Sequence, residues 1–231
     1  MEPVVRILKY VEMCREEGLS LQKGMNYCPL SDRSILLMSV RKDAPYHDRV
    51  EDGGLTLIYE GHDAPRSENV PNPKIVDQPA ALPSGRLTEK GKFFAAAQKY
   101  KGGSAPRLVR VYEKLRDGIW ADNGHFNLVD AWQEPDEARQ VFKFKLVVTE
   151  RVAASQNELD VEDPKRSRVI PSAIKQEVWL RDHGKCTMCG ASDELHFDHI
   201  IPFAKGGSSL VAGNVQLLCA RHNLQKRDKI E

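Results

Sequence analysis

No apolar run in this chain approaches the ~20 residues that a membrane-spanning helix needs. The opening residues, Met1-Glu2-Pro3-Val4-Val5-Arg6, lack the basic-then-apolar layout of a secretory signal. Charge of one sign is also missing: the net charge of the 231 residues is +1. A mean basic field is therefore excluded as the means of holding nucleic acid, and such a partner would need local patches. Lys99, Lys101, Arg107, Arg110 and the tail residues Arg221, Lys226, Arg227 and Lys229 are the candidates for phosphate contacts. Each of these charges also fits a solvated surface. Cysteine is scarce, with five in the chain, which fits a reducing, cytoplasmic compartment. Cys14 and Cys28 carry no motif and read as packing thiols. No internal repeat is present.

What is present is concentrated near the C-terminus. Cys186 and Cys189 form a C-x2-C pair, and Cys219 and His222 a C-x2-H pair. Thiolates and imidazole in two close pairs suit one tetrahedral zinc. Four protein ligands leave no open position for chemistry, so this zinc would build the scaffold. Between the pairs lie His196-Phe197-Asp198-His199-Ile200-Ile201-Pro202 and Asn214-Val215-Gln216-Leu217-Leu218, and Asn223 follows His222. Those polar residues suit a second, oxygen-preferring metal that acts on phosphodiesters.

Together with Lys205-Gly206-Gly207, this order resembles the HNH endonuclease superfamily in its zinc-knuckle subgroup, over residues 171–231. The resemblance implies a ββα-metal fold with His199 as general base toward water. Asp198 and Asn223 would hold Mg2+ or a similar divalent ion, and Asn214 would orient His199 through its ring nitrogen or backbone. Many relatives have His where Asn223 stands. His196 fits a phosphate contact or a half-buried strand residue. The competing reading of the region is a zinc finger for binding only.

The rest of the chain predicts a mixed α+β protein. Val4, Ile7, Leu8, Val11 and Cys14 recur at helical spacing, with Gly18 as a stop. Strand-like runs follow at Ser34–Val40, Leu55–Tyr59, Leu108–Tyr112, Phe126–Trp132 and Val141–Val148. In the last, Phe142, Phe144 and Leu146 alternate with Lys143 and Lys145 as in a half-buried strand. Glu89–Tyr100 reads as a helix with Phe93, Phe94 and Ala97 inward, and residues 60–83 as a long loop or insert. Residues 151–168 have few large apolar side chains and read as a linker between regions 1–150 and 169–231. A helix near Pro171–Asp182, strands at Leu195–Phe197 and Val215–Leu218, and a helix over Ala220–Lys229 complete the expectation.

A second resemblance runs through the first region. It rests on Tyr46-His47-Asp48-Arg49-Val50-Glu51-Asp52-Gly53-Gly54, Leu57-Ile58-Tyr59-Glu60-Gly61-His62-Asp63 and Asp77-Gln78-Pro79. It continues through Glu89–Tyr100, Pro106–Tyr112, Gly124–Trp132 and Phe142–Leu146. The order is similar to that of SRA domains, curved β-barrels that flip 5-methylcytosine out of duplex DNA. SRA joined to HNH is the arrangement of McrA-like, modification-dependent type IV restriction endonucleases. This implies Tyr46 and Tyr59 as flat partners for a flipped base and Asp48 as acceptor for the cytosine N4 amine. Each tyrosine also fits a core or edge-strand position. Here Ala44-Pro45 stand where small residues usually precede the first tyrosine, and the Tyr46–Asp48–Tyr59 spacing differs slightly from the eukaryotic pattern.

The expected function is a Mg2+-dependent endonuclease for DNA carrying 5-methylcytosine or 5-hydroxymethylcytosine, acting as a homodimer. The homodimer contact is expected at the N-terminal helix or the HNH face. The alternatives are a modified-DNA reader with an inactive nuclease and a nonspecific HNH nuclease.

Overall fold

A computed structural model describes residues 5–28, 31–68, 70–149, 169–227 and 229–230. The expected linker at 151–168 lies outside the described residues. The architecture is α+β. Ten strands form one sheet: β1 (Val5–Lys9), β2 (Met25–Asn26), β3 (Arg33–Met38), β4 (Arg49–Glu51), β5 (Thr56–Glu60), β6 (Arg107–Arg116), β7 (Ile119–Asp136), β8 (Arg139–Val148), β9 (Leu195–His199) and β10 (Val215–Cys219). Among the described residues four α-helices accompany them: α1 (Tyr10–Glu17), α2 (Glu89–Lys101), α3 (Ser172–Arg181) and α4 (Ala220–Lys226).

The long strand β7 organises the sheet. It pairs antiparallel with β6, and with β1 and then β8 along its other edge. β3 lies parallel to β6, and β5 antiparallel to β8. No ladder among the described residues joins the short outer strands β2 and β4. The sheet therefore stays open, and the barrel expected for the first region is not closed. Two and three residues of pairing are too little to complete a ring.

The strand expectations hold with shifted ends, and α2 begins directly after its cap, Thr88. Thr88 Oγ accepts from Gly91 N at 3.1 Å, satisfying one of the orphan donors of the first turn. Phe93 and Ala97 are fully buried against Phe126, Phe142 and Phe144 in the main core. Lys143 departs from the expected pattern. It is 3% exposed rather than solvated, because its ammonium meets Glu60 at 2.9 Å. The sheet there is covered on both faces. The segment 60–83 is stitched down rather than loose. Gln78 donates to Gly61 O, accepts from Phe142 N, and its own N–H reaches Gln140 O.

The N-terminus corrects the sequence reading. Residues 5–9 are strand, and the helix starts only at Tyr10. Helical spacing loses because both edges of β1 find partners: Ile7–Lys9 pair with β7, and Val5 and Arg6 pair with β9. Gly18 does end α1, with φ 63° in the left-handed region that glycine adopts without strain. β1 thus ties the second region into the sheet of the first. Ile7, Leu115 and Ala121 share a core with Val178, Leu195, Phe197, Leu217 and Leu218. Beside it, Lys175 of α3 is 2% exposed and reaches Glu113 Oε2 and Asn123 Oδ1, both at 2.6 Å. Burial alone would raise the Glu113 pKa, but the Lys175 ammonium lowers it.

Candidate functional site

The C-terminal centre is built from a hairpin and a helix. β9 and β10 pair in the register His199–Val215 to Leu195–Cys219, and α4 starts directly after Cys219. That geometry gathers Cys186, Cys189, Cys219 and His222, whose ligand atoms all lie within 4.8 Å of one another. Cys189 and Cys219 sulfurs are 3.8 Å apart. His222 Nδ1 is 3.4 Å from Cys186 Sγ and 3.3 Å from Cys219 Sγ. A tetrahedral ion with metal–sulfur bonds near 2.3 Å separates its sulfur ligands by about 3.8 Å, so the cluster can hold such a metal. Burial opposes the Cys186 thiolate, yet N–H groups of Cys219, Cys189 and Met188 and the His222 ring bring its pKa down to about 6. The same surroundings leave Cys219 raised, first by burial. A metal in the cluster would hold both as thiolates.

Alternation along β9 divides the other predicted residues. Leu195, Phe197 and His199 are buried, while His196 and Asp198 are half-buried on the opposite face, against α4. There Asn223 Nδ2 lies 3.2 Å from His196 Nδ1, which leaves the carboxamide oxygen as a donor for a hard cation. Burial lowers the His196 pKa, and Arg6 adds to the effect, so this ring is neutral. Asp198 Oδ2 meets Lys226 Nζ at 2.9 Å. Lys226 also donates to His199 O at 2.6 Å and is 2% exposed.

His199 is 8% exposed, with Nε2 2.9 Å from Ser209 Oγ. Asn214 staples the loop beyond it: Oδ1 accepts from Ile201 N at 2.8 Å, Nδ2 donates to Ile201 O and Ser208 O at 3.1 Å, and its carbonyl accepts from Ile200 N. Asn214 therefore positions the backbone next to His199, and the Ser209 side chain meets the imidazole. The sequence held no sign of Ser209 beyond its place in a Gly-Gly-Ser-Ser loop. The second glycine of that loop is required: a Cβ on Gly207 would sit 1.8 Å from Ile201 O.

The base-pocket candidates occupy one neighbourhood in the first region. Tyr46, Asp48 and His62 line a cavity of about 440 Å³ with Ser39, Leu37 and Trp120. Asp48 Oδ1 accepts from Glu60 N at 2.9 Å and Oδ2 from Ser39 N at 3.0 Å. Burial outweighs those two bonds and raises its pKa to about 7. Beneath it Glu60, 1% exposed, accepts from His47 N and Lys143 and faces Arg139, which also binds Asp63. Tyr59 is 2% exposed and lies behind the cavity wall, with its hydroxyl 2.8 Å from His62 Nε2 and 3.2 Å from Leu37 O. His62, not singled out from the sequence, stacks on Tyr46 with ring centroids 4.2 Å apart. A larger cavity of about 790 Å³, lined by Glu17, Tyr27, Arg33 and Glu89 among others, contains none of the predicted site residues.

Several phosphate-contact candidates are placed differently from expectation. Arg110 is an internal ion-pair partner, bound to Asp122 and Glu17 at 2.6 Å each. Arg107 donates to Ser34 Oγ and Cys28 O and lies over the Tyr27 ring. Lys101 pairs with Asp130, and Lys226 is buried as described above. Arg110, Lys101 and Lys226 are thus each paired with a carboxylate. Arg227 is exposed just after α4. None of the described helices is long and apolar enough to cross a membrane.

Residues 186–229 match the HNH endonuclease family. No curated protein sequence matches the chain. Among solved structures, the chain is similar to the SUVH5 SRA domain in complex with hemimethylated CG DNA, at 22% identity and a TM-score of 0.42, over 61% of this chain and 83% of that one. It is similar at 20% identity and TM-score 0.43 to SUVH5 SRA bound to fully hydroxymethylated CG DNA, over 61% and 84% of the two chains. A third similarity is to Arabidopsis thaliana SUVH6 in complex with SAM, at 16% identity and TM-score 0.39, covering 68% of this chain and 29% of that one.

Proposed function

We propose that this protein is a modification-dependent DNA endonuclease, reading a flipped 5-methylcytosine or 5-hydroxymethylcytosine in its first region and cutting the backbone with its HNH region. One observation carries the reading. The chain that holds Asp198, His199 and Asn223 beside a Cys3His cluster also lines a single cavity with Tyr46, Asp48 and His62. The carboxylate of Asp48 would accept the N4 amine of the base, and its ionised form, needed for that role, predominates only above about pH 7. Tyr46 offers the flat face.

In the nuclease, His199 takes the proton of the attacking water at an imidazole nitrogen, and Ser209 fixes that ring. Asn214 holds the loop after β9, so the imidazole stays aligned with the strand. Asp198 and Asn223 would hold a divalent ion such as Mg2+, which offsets charge on the phosphate and leaving oxygen when bound. Lys226 pairs with the Asp198 carboxylate in the free protein. Zinc in the cysteine–histidine cluster is structural. A double-strand break needs two such sites, so the working form is a homodimer. Because β1 is inside the sheet, the contact falls to the outer face of α1, where Val11 is exposed, or to the HNH face.

The test is digestion of one plasmid, methylated or unmethylated at cytosine, with Mg2+, Mn2+ or EDTA. Cutting of the methylated form alone, abolished by EDTA, is expected. Equal cutting of both forms would favour a nonspecific nuclease. Tight binding to methylated DNA without cutting would favour a reader.

A further inference from the structure

The slot where a base would stack is already filled. The His62 imidazole lies against Tyr46 with centroids 4.2 Å apart and an interplanar angle of 10°. Tyr59 stands at its edge, with centroids 5.8 Å apart at 23° and its hydroxyl on the ring nitrogen. No ring-thick gap remains between His62 and Tyr46. The outer face of Tyr46 is also covered, by Lys74 Nζ at 4.6 Å from the ring centroid. The cavity, however, is lined by His62 and not by Lys74, so the way in is on the histidine side.

His62 is held there by specific features. Tyr59 Oη is 2.8 Å from Nε2. Gly24 leaves the space the ring occupies, since a Cβ at that position would come within 2.0 Å of His62 Cε1. Burial, with Lys90 next in effect, lowers the imidazole pKa to about 4, so the ring is neutral and stacks without a charge to desolvate. Gly61, just before it, is fixed by Phe142 and Gln78. Asp63, just after it, donates its N–H to Tyr46 Oη and pairs with Arg139 and Lys74. The backbone is thus held on both sides, and leaving the Tyr46 face is a rotation of the His62 side chain.

Building on the function proposed above, we infer that His62 is a stand-in for the extruded base: it covers the cavity-side face of Tyr46 in the free protein and must leave before any base can stack there. Its displacement raises the cost of extrusion for every base alike. Unmodified cytosine, lacking the contact of the 5-substituent, then falls below sequence-independent backbone binding, while the modified base still clears it. His62 is in this sense a specificity-determining residue that acts through the free state.

The experiment is a binding titration of the full chain on matched duplexes carrying 5-methylcytosine or cytosine, at fixed salt, with thermal melting as a fold control. His62→Ala should tighten binding to the methylated duplex by about 3–10-fold, the worth of one stacked aromatic pair. Tyr59→Phe keeps the ring but removes the hydroxyl that anchors His62, and should shift affinity in the same direction by less. The His62 imidazole proton resonance, assigned by its loss in His62→Ala, should move when methylated duplex is added to wild type and stay in place with unmethylated duplex. Unchanged or weaker binding by His62→Ala, with a fixed resonance in wild type, would overturn the inference and make the ring a wall of the pocket. A wild type that binds both duplexes equally would instead sink the reading of modified cytosine itself.

Discussion

The two regions of this molecule hold their functional residues by different means. In the first, Tyr46, Asp48 and Glu60 sit over an extensive core of Phe93, Phe126, Phe142 and Phe144, and α2 covers it. In the second, a short hairpin and two helices have too little apolar surface to stand alone. They borrow Ile7, Leu115 and Ala121 from the first region and gather four metal ligands. The comparison teaches that the second region is held from both ends, by a cluster able to take a metal on one side and by the first region's sheet on the other. It also teaches that the two are coupled through β1 as well as through the chain at 151–168.

The largest break is expected from the metal cluster. Structural zinc contributes on the order of 10–16 kcal/mol in small domains. Cys186→Ser should unfold the C-terminal region while the first core persists, read as protease sensitivity confined to residues after 169. Loss of both regions in one transition would show that the coupling through β1 dominates instead.

Removing the ammonium at the junction comes next. Lys175→Ala leaves Glu113 buried and unpaired, a loss of about 3–5 kcal/mol. Lys175→Ala with Glu113→Gln should recover much of it in thermal melting. The sign of the pH dependence follows from the lowered Glu113 pKa. The pair's stabilisation is present above the ordinary glutamate range and is lost as pH falls through the lowered value. Equal melting of wild type and Lys175→Ala at neutral pH would remove this pair from the interface account.

His199→Ala should leave folding and DNA binding in place while slowing cleavage by ~10²–10⁴-fold. Asp198→Ala should fail through lost divalent ion and resist rescue by added Mg2+. Wild-type turnover in either variant would contradict the assignment. The smallest effects belong to the reader. Asp48→Ala should weaken binding to methylated DNA and narrow the difference from unmethylated DNA. Methyl recognition itself contributes only roughly 1 kcal/mol. In wild type that difference should grow as pH rises through about 7, where Asp48 ionises. The same raised pKa means that Asp48 in its protonated form favours the fold, a contribution present at low pH and lost as pH rises through about 7.

The nuclease was the more legible region in the sequence because metal ligands impose short spacings. Cys186, Cys189, Cys219 and His222 come together as their pairs predict. The hairpin and α4 fall close to where the apolar runs placed them. What spacing could not show is contact across long separations. Ser209 meets His199 only because Gly207 lets the loop fold back under Ile201. β1 read as helix because its apolar residues fit that period, and its two strand partners lie more than a hundred residues away in sequence. Arg110 looked like a phosphate contact because the sequence does not reveal that Glu17 and Asp122 converge on it. His62 escaped notice for the same reason, since its role comes from the rings around it.

The most direct test of a reader fused to a nuclease is cleavage of matched duplexes that differ at one cytosine. The substrates carry 5-methylcytosine or cytosine at fixed salt with Mg2+, and wild type and Asp48→Ala are compared. The account predicts cutting by wild type of the methylated duplex alone, and loss of that preference in the variant while His199 remains intact. Equal cutting of both duplexes by wild type would contradict it.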